Sequence, residues 1–483
     1  MLFNSYEFLF LFLPIAVGGY FLLGSREKNS EWANVWLVGL SLFFYSYWDI
    51  TYLPLLLLSI GVNYVVSGYI IRYRKEKQQN NAKMVFLLGI LCNAGLLGFF
   101  KYTDFFLENL NDLGAQFPLL HIVLPLGISF FTITQMVFLV DCYEGIAKER
   151  SLLHYALFVS FFPHLLAGPI LYHRPMMKQF KDTALRRVNW DNMGRGLSLF
   201  IVGFAKKVLI ADSFVSFVAQ GFAHPAQLNL VDSWVVAVCY MMQLYFDFSG
   251  YSDMALGIAR MLNINIPVNF NSPYRAYGII DFWQRWHMSL TTTITNYLYT
   301  PMVMACKKIT FGKAMAATFA SMFIAGIWHG AGWNYIIFGS LHGGGLVLNH
   351  IWKKYHLWMW KPLGYVLTLL LVLAAFVFFR AASVTDALQI LCAMAGGNGI
   401  AFPYPVALFL HNHWGVDIVS VRLGELPKKM LVVSLLLVAF CPNSNVLIQR
   451  LQPKRKWALA LAILFVWGVV SLSQVTEFLY FQF

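Results

Sequence analysis

A chain of 483 residues that is 59% hydrophobic and only 12% charged, with a mean hydropathy of +0.62, is not a soluble domain, where about a quarter of residues carry charge. Its apolar residues fall in blocks of roughly 17–22, the length that crosses the hydrocarbon of a bilayer as a helix, and they lack the period-2 alternation of a membrane β-barrel. The formal charge of +13 is parcelled into short connections between those blocks, where positive charge marks the cytoplasmic side, so no nucleic-acid partner is expected.

The first apolar block, residues 6–23, has no basic residue before it and Arg26 and Lys28 just after. That order is the reverse of a secretory signal peptide and predicts a retained helix with the N-terminus outside. Blocks at about 35–48 and 52–71 lead to a loop holding Arg72, Arg74, Lys75, Lys77 and Lys83, which falls inside as three crossings from an outside start require. A fourth block, 84–100, leads out to a loop where Asp104, Glu108 and Asp112 face a single Lys101, and a fifth, about 120–140, returns to Lys148 and Arg150. Residues 152–172 hold Pro163, His164, Gly168 and Pro169 in an otherwise apolar stretch. Such broken helices survive in a membrane only where protein or a water-filled cavity covers their freed backbone groups.

Residues 197–211 are apolar but for Lys206 and Lys207, and 231–246 reads as a span. From Asp247 to Pro301 the chain turns polar and aromatic, with breaks expected at Gly250, Pro267 and Pro273, so short interior helices are predicted. Apolar blocks resume at 314–327, 333–348 and 361–379; the long 381–428 segment, with His411 and His413, is expected outside. Blocks at 430–441 and 459–472 flank the basic turn Lys454, Arg455 and Lys456, which returns the C-terminus to the outside. The count is about 11 transmembrane helices plus one or two re-entrant pieces. The fold class is an all-α polytopic membrane protein, a single domain over 1–483, placed in a bacterial cell membrane.

Two histidines carry the chemistry. His329 closes the apolar run that begins near Ala314, in Ala325-Gly-Ile-Trp-His-Gly330, and should lie at membrane depth, where an ionisable group is expensive and points to function. Imidazole suits proton abstraction because it titrates near neutrality. The plainer alternative is a structural histidine bonded to a neighbouring carbonyl. His287 lies in Asp281-Phe-Trp-Gln-Arg-Trp-His-Met-Ser-Leu290, on a different segment, so spacing alone does not bring the two together. No third ligand or carboxylate stands at a metal-like spacing, and none is expected to be bound. Asp247 and Asp253, in Gln243-Leu-Tyr-Phe-Asp-Phe-Ser-Gly-Tyr-Ser-Asp-Met254, suit ion pairs with Lys206 or Lys207 better than direct catalysis. The six cysteines show no CxxC pattern and read as small core residues. No nucleophile elbow, phosphate loop or HExxH is present.

With these residues in view, the chain resembles the membrane-bound O-acyltransferase (MBOAT) family, most closely the bacterial alginate O-acetyltransferase type. The resemblance runs through Phe8-Leu-Phe-Leu-Phe-Leu-Pro14, Leu124-Pro-Leu-Gly-Ile-Ser-Phe130, Phe162-Pro-His-Leu-Leu-Ala-Gly-Pro169 and Gly203-Phe-Ala-Lys-Lys-Val208. It continues through the 243–254 motif, Asn269-Phe-Asn-Ser-Pro-Tyr274, the 282–287 and 327–330 stretches and the closing Phe478-Leu-Tyr-Phe-Gln-Phe483. It implies a funnel of membrane helices whose inner end admits an acyl donor, acetyl-CoA, from the cytoplasm. It also implies His329 as the catalytic histidine with His287 near it, and a polysaccharide acceptor reached through a periplasmic or extracellular acetyltransferase partner.

The chain departs from the pattern after Trp286-His-Met-Ser-Leu290. Bacterial relatives continue with Trp, then Arg-Asp-Tyr-Leu-Tyr and a Gly-rich turn. This chain reads Thr291-Thr-Thr-Ile-Thr-Asn-Tyr-Leu-Tyr-Thr-Pro301, with Thr295 for the basic residue and Asn296 for the acid. Asn296 can still hydrogen-bond a histidine or a thioester carbonyl but supplies no charge. The expected reaction is acyl transfer with His329 as general base, steadied by His287 or Asn296. Alternatives are D-alanyl transfer to teichoic acid, acetylation of peptidoglycan or cellulose, and, outside enzymes, a transporter or polymer-export channel, which would call for internal symmetry that the sequence lacks.

Overall fold

The structure, a computed structural model, describes residues 1–25, 31–148, 150–400, 404–414, 427–452 and 454–473. Arg26, Lys28, positions 401–403 and 415–426 of the expected outer segment, and the closing 478–483 motif lie outside those residues. Every regular element among the described residues is helical.

By length and composition, four described helices can each cross a bilayer: Ile50–Lys75, Gln79–Asp112, Phe311–His329 and Lys361–Arg380. The pair Lys428–Phe440 and Ser444–Arg450, bent by 65°, makes a fifth if it is one broken span. The count is lower than the roughly eleven expected from hydropathy blocks. Several of those blocks are apolar but short, as in Phe8–Gly24, Trp32–Ser46 and Val384–Met394. Others are long yet carry polar groups, as in Leu230–Met261 and Trp333–Lys354. Polar side chains at membrane depth persist where they find partners inside the protein, and the Leu230–Met261 helix does so.

That helix runs unbroken through Gly250, where a break was expected. Gly250 serves close approach instead: a Cβ there would lie 2.7 Å from the carbonyl oxygen of Gly203 on the Trp190–Ala205 helix. The two backbones meet at this point, and the facing helix continues into a π-turn, Lys206–Ala211. The wider turn places both lysines on carboxylates. Lys206 Nζ lies 2.6 Å from Asp253, and Lys207 Nζ lies 2.7 Å from both Asp212 and Asp247. The ion-pair reading of Asp247 and Asp253 holds, although the pairs lie along the helix rather than at its end.

The expected 120–140 span is the second correction. Residues 115–125 form no regular element, and the helix is Ile128–Glu144. Pro118 and Pro125 cannot donate to a helix ladder, and Gly127 takes φ +71° before the first helical residue. The extended stretch is held by Asp104, whose carboxylate accepts from the amides of Leu120 (2.8 Å) and Ile122 (2.9 Å). Of the six cysteines, only Cys142 and Cys239 are buried; Cys92, Cys392 and Cys441 are exposed and Cys306 is half-buried.

Two hydrophobic cores organise the chain. One joins the N-terminal helices to Tyr251–Ile266 side chains around Phe44, Phe138 and Phe162. The other gathers Tyr240, Trp286, Phe338, Phe376 and Phe379. Trp328 packs against the first and Phe338 belongs to the second, so the end of the Phe311–His329 helix lies at their seam.

Candidate active site

His329 is the last residue of its helix, and Gly330 beyond it is extended. Its ring is enclosed by aromatic neighbours: Trp328 at 5.0 Å between centroids, Phe379 at 5.4 Å and Phe338 at 5.7 Å, the last two edge-on. Only 6% of the residue is exposed. The facing helix Trp333–Lys354 approaches closely because Gly339 would place a Cβ 2.6 Å from the carbonyl oxygen of Met322.

The last carbonyls of a helix have no partner within it, and here the neighbouring Gln79–Asp112 helix supplies them. Lys101 Nζ donates to the carbonyl oxygens of Trp328 (2.6 Å) and His329 (2.7 Å), and the Tyr102 hydroxyl donates to that of Ile327 (2.6 Å). An ammonium at the negative end of a helix is the favourable pairing. Lys101 thus belongs to the histidine centre, whereas hydropathy places it in a loop. No local signal marks it, because its partners are backbone oxygens 227 and 228 residues away.

His287 caps the Met288–Ile294 helix with φ +43° and is 1% exposed. Its Nδ1 lies 3.0 Å from Asn269 Oδ1. That oxygen also accepts from the Ser289 amide (3.2 Å) and hydroxyl (2.8 Å). A backbone N–H can only donate, so the Asn269 atom is the acceptor and His287 Nδ1 carries the proton. The neutral ring therefore presents a lone pair on Nε2. Asn269, fully buried, stands in a motif that points to it, but its service to His287 is visible only in three dimensions. A third histidine, His342, accepts at Nδ1 from Trp283 Nε1 at 3.3 Å, so its neutral ring carries the proton on Nε2. Sequence reasoning passed over it. Lys101 reaches His329 through its carbonyl oxygen, and the rings of His342 and His329 both pack edge-on against Phe338.

Asn296 is not brought into this group. It is exposed, on the π-turn Thr295–Tyr299, and its side chain makes no hydrogen bond to either histidine. The same turn sends Leu298 against a small cluster of Ile170, Leu290, Ile294 and Ala325, and Tyr297 donates to Asp141 at 2.8 Å. A small cavity of about 50 Å³ touches His329 and is bordered by Lys101, Gly127, Ser129, Leu166 and Trp328. A larger cleft, about 430 Å³, is lined by Lys206, Tyr245, Leu437, Trp467 and other mostly apolar residues, with none of the three histidines among them.

A helical membrane protein that buries His287, His329 and His342 among aromatic side chains is of the integral membrane class. Residues 30–385 match the MBOAT, membrane-bound O-acyltransferase, family model, and the chain belongs to that family; it is an O-acyltransferase. The peptidoglycan O-acetyltransferase of Helicobacter pylori is 40% identical, the alignment spanning 100% of this chain and 98% of that protein. The probable alginate O-acetylase of Pseudomonas aeruginosa is 36% identical over 95% of this chain and 85% of its own length. The teichoic acid D-alanyltransferase of Bacillus subtilis is 27% identical, over 78% and 95%.

Proposed function

We propose that the protein takes an acetyl group from acetyl-CoA on the cytoplasmic side and transfers it to a hydroxyl reached from outside, for O-acetylation of an extracytoplasmic polysaccharide. The enclosed His329, fixed by Lys101 through its own carbonyl, is the observation that carries this reading. Its ring removes the hydroxyl proton as the oxygen attacks the thioester, and the aromatic wall keeps out water that would hydrolyse the donor. His287, locked by Asn269, orients the acceptor or the His329 ring. Asn296, exposed on its π-turn, meets the donor on its way in.

The acceptor is a glycan, passed its acetyl group through an extracytoplasmic acetyltransferase partner, and the protein sits in the bacterial inner membrane with its N-terminus outside. Full-length similarity to O-acetyltransferases named for peptidoglycan and alginate supports acetyl as cargo over the D-alanyl group named for a less similar relative. The test is His329→Ala in the producing strain, with protein level checked in membranes and acetyl content of peptidoglycan and exopolysaccharide measured by mass spectrometry. Loss of acetylation from one polymer is expected and names the acceptor. Full acetylation of both at normal protein level overturns the assignment.

A further inference from the structure

Two buried donors border the cavity at His329. Ser129 Oγ and Trp328 Nε1 are each shielded from solvent and have no hydrogen-bond partner among the described residues, and both residues line the cavity that His329 and Lys101 also touch. An indole N–H can only donate, and an unmade donor is costly inside a protein and more so at membrane depth. His342 Nε2 is a third such donor but does not border this cavity.

The surroundings favour negative charge. Gly127, Ile128, Ser129 and Phe130 line the cavity, so the start of the Ile128–Glu144 helix, the positive end of its dipole, faces it. The opposing negative end, at His329, is capped by the Lys101 ammonium. The cavity, about 50 Å³, has room for about three to five waters at 10–15 Å³ each, which suits the three heavy atoms of an acetyl group and not a sugar ring.

We propose that Ser129 Oγ–H and Trp328 Nε1–H receive the thioester carbonyl oxygen and hold it as it becomes an oxyanion. The assignment rests on the acyl-transfer reading above. The acceptor hydroxyl oxygen bonds to the thioester carbon, its proton passes to the His329 ring, and the C=O π pair moves onto the carbonyl oxygen between the two donors. The oxyanion then re-forms C=O, the C–S bond breaks with its pair on sulfur, and the thiolate takes the proton back from His329. Donors placed where charge develops act mainly on the transition state.

The experiment uses the full-length protein in nanodiscs, with acetyl-CoA as donor and peptidoglycan or alginate oligosaccharides presented together with the extracytoplasmic acetyltransferase partner, following release of coenzyme A thiol. Ser129→Ala and Trp328→Phe should each lower kcat by roughly 10²–10³-fold, the usual loss of one oxyanion donor. KM for acetyl-CoA should stay within about threefold, since ground-state binding is spared. Ser129→Thr, which keeps the hydroxyl, should restore most of kcat; a merely structural role would lower the yield of folded protein without this rescue. His329→Ala runs alongside. Loss of activity in that variant while Ser129→Ala and Trp328→Phe keep full kcat overturns the oxyanion assignment alone. Full kcat in His329→Ala overturns the acyl-transfer reading of the site itself. Should Trp328→Phe fail to fold, the Ser129→Ala and Ser129→Thr pair decides.

Discussion

Asn269 shows how a residue with no chemistry of its own sets the state of one that has it. Its Oδ1 gathers three donors, from His287 Nδ1 and from the amide and hydroxyl of Ser289, and so fixes the tautomer of His287. Asn269→Leu leaves three donors facing a hydrocarbon side chain, and each unmade buried bond costs about 1–3 kcal/mol. A lower midpoint in thermal unfolding of the detergent-solubilised protein is expected, with loss of transferase activity in the fraction that remains folded. Asn269→Asp keeps the acceptor and should keep more of both; equal loss in the two variants would show that Oδ1 is not the atom that matters. Lys101 acts at the same scale from the opposite side. Lys101→Met strips two carbonyl oxygens of their donor and uncaps the negative end of the Phe311–His329 helix, at a cost of about 1–2 kcal/mol for the dipole interaction in a partly buried setting. Activity should fall while the protein still inserts, measured as acetyl content per unit of membrane-extracted protein.

Helices here owe their positions to backbone contact as much as to side-chain packing. Gly203 and Gly250 meet with each carbonyl where the other's Cβ would stand, 2.6 and 2.7 Å away. Small residues at such crossings let van der Waals contact replace the hydrophobic drive that lipid does not supply. Gly250→Val should therefore push the two long helices apart and abolish recovery of monodisperse protein on size exclusion. The adjacent π-turn is a second device of this kind. It presents Lys206 and Lys207, consecutive in sequence, to carboxylates on the same facing helix, Asp253 and Asp247. Removing one partner of a buried ion pair costs about 3–5 kcal/mol because the other charge is stranded. Lys207→Met is expected to destabilise strongly, and Lys207→Met combined with Asp247→Asn to recover part of the loss; a double variant no better than the single would show that the charges do not compensate each other.

On the scale of the whole molecule, the arrangement of positive charge sets a testable orientation. Arg72, Arg74 and Lys75 end the Leu53–Lys75 helix, and the next helix, Gln79–Asp112, begins after a short turn and carries acidic residues near its far end. With the basic turn cytoplasmic, a cysteine at Asn80 should react only with a membrane-permeant thiol reagent, and one at Asn111 with an impermeant reagent added to intact spheroplasts. The reverse pattern would invert the topology and place the cavity at Lys101 and His329 on the cytoplasmic side.

Composition and block length alone were enough for an all-helical membrane protein, because a bilayer demands long apolar runs whatever their tertiary partners. The Trp-His-Gly setting of His329 and the 281–290 motif were likewise legible, since each is local. Hydropathy went wrong where packing overrides it. Gly250 reads as a break and is a point of contact, and the 120–140 block reads as one span although Pro125 and Gly127 delay its helix to Ile128. Short apolar helices such as Trp32–Ser46 give the same local hydropathy signal as the four described helices long enough to cross by length and composition. What only the tertiary structure decided is the company His329 keeps. Lys101 reaches it through backbone oxygens, and Phe338 and Phe379 wall its ring. Those contacts join residues far apart in the chain, and no local pattern encodes a partner whose only signature is where it ends up.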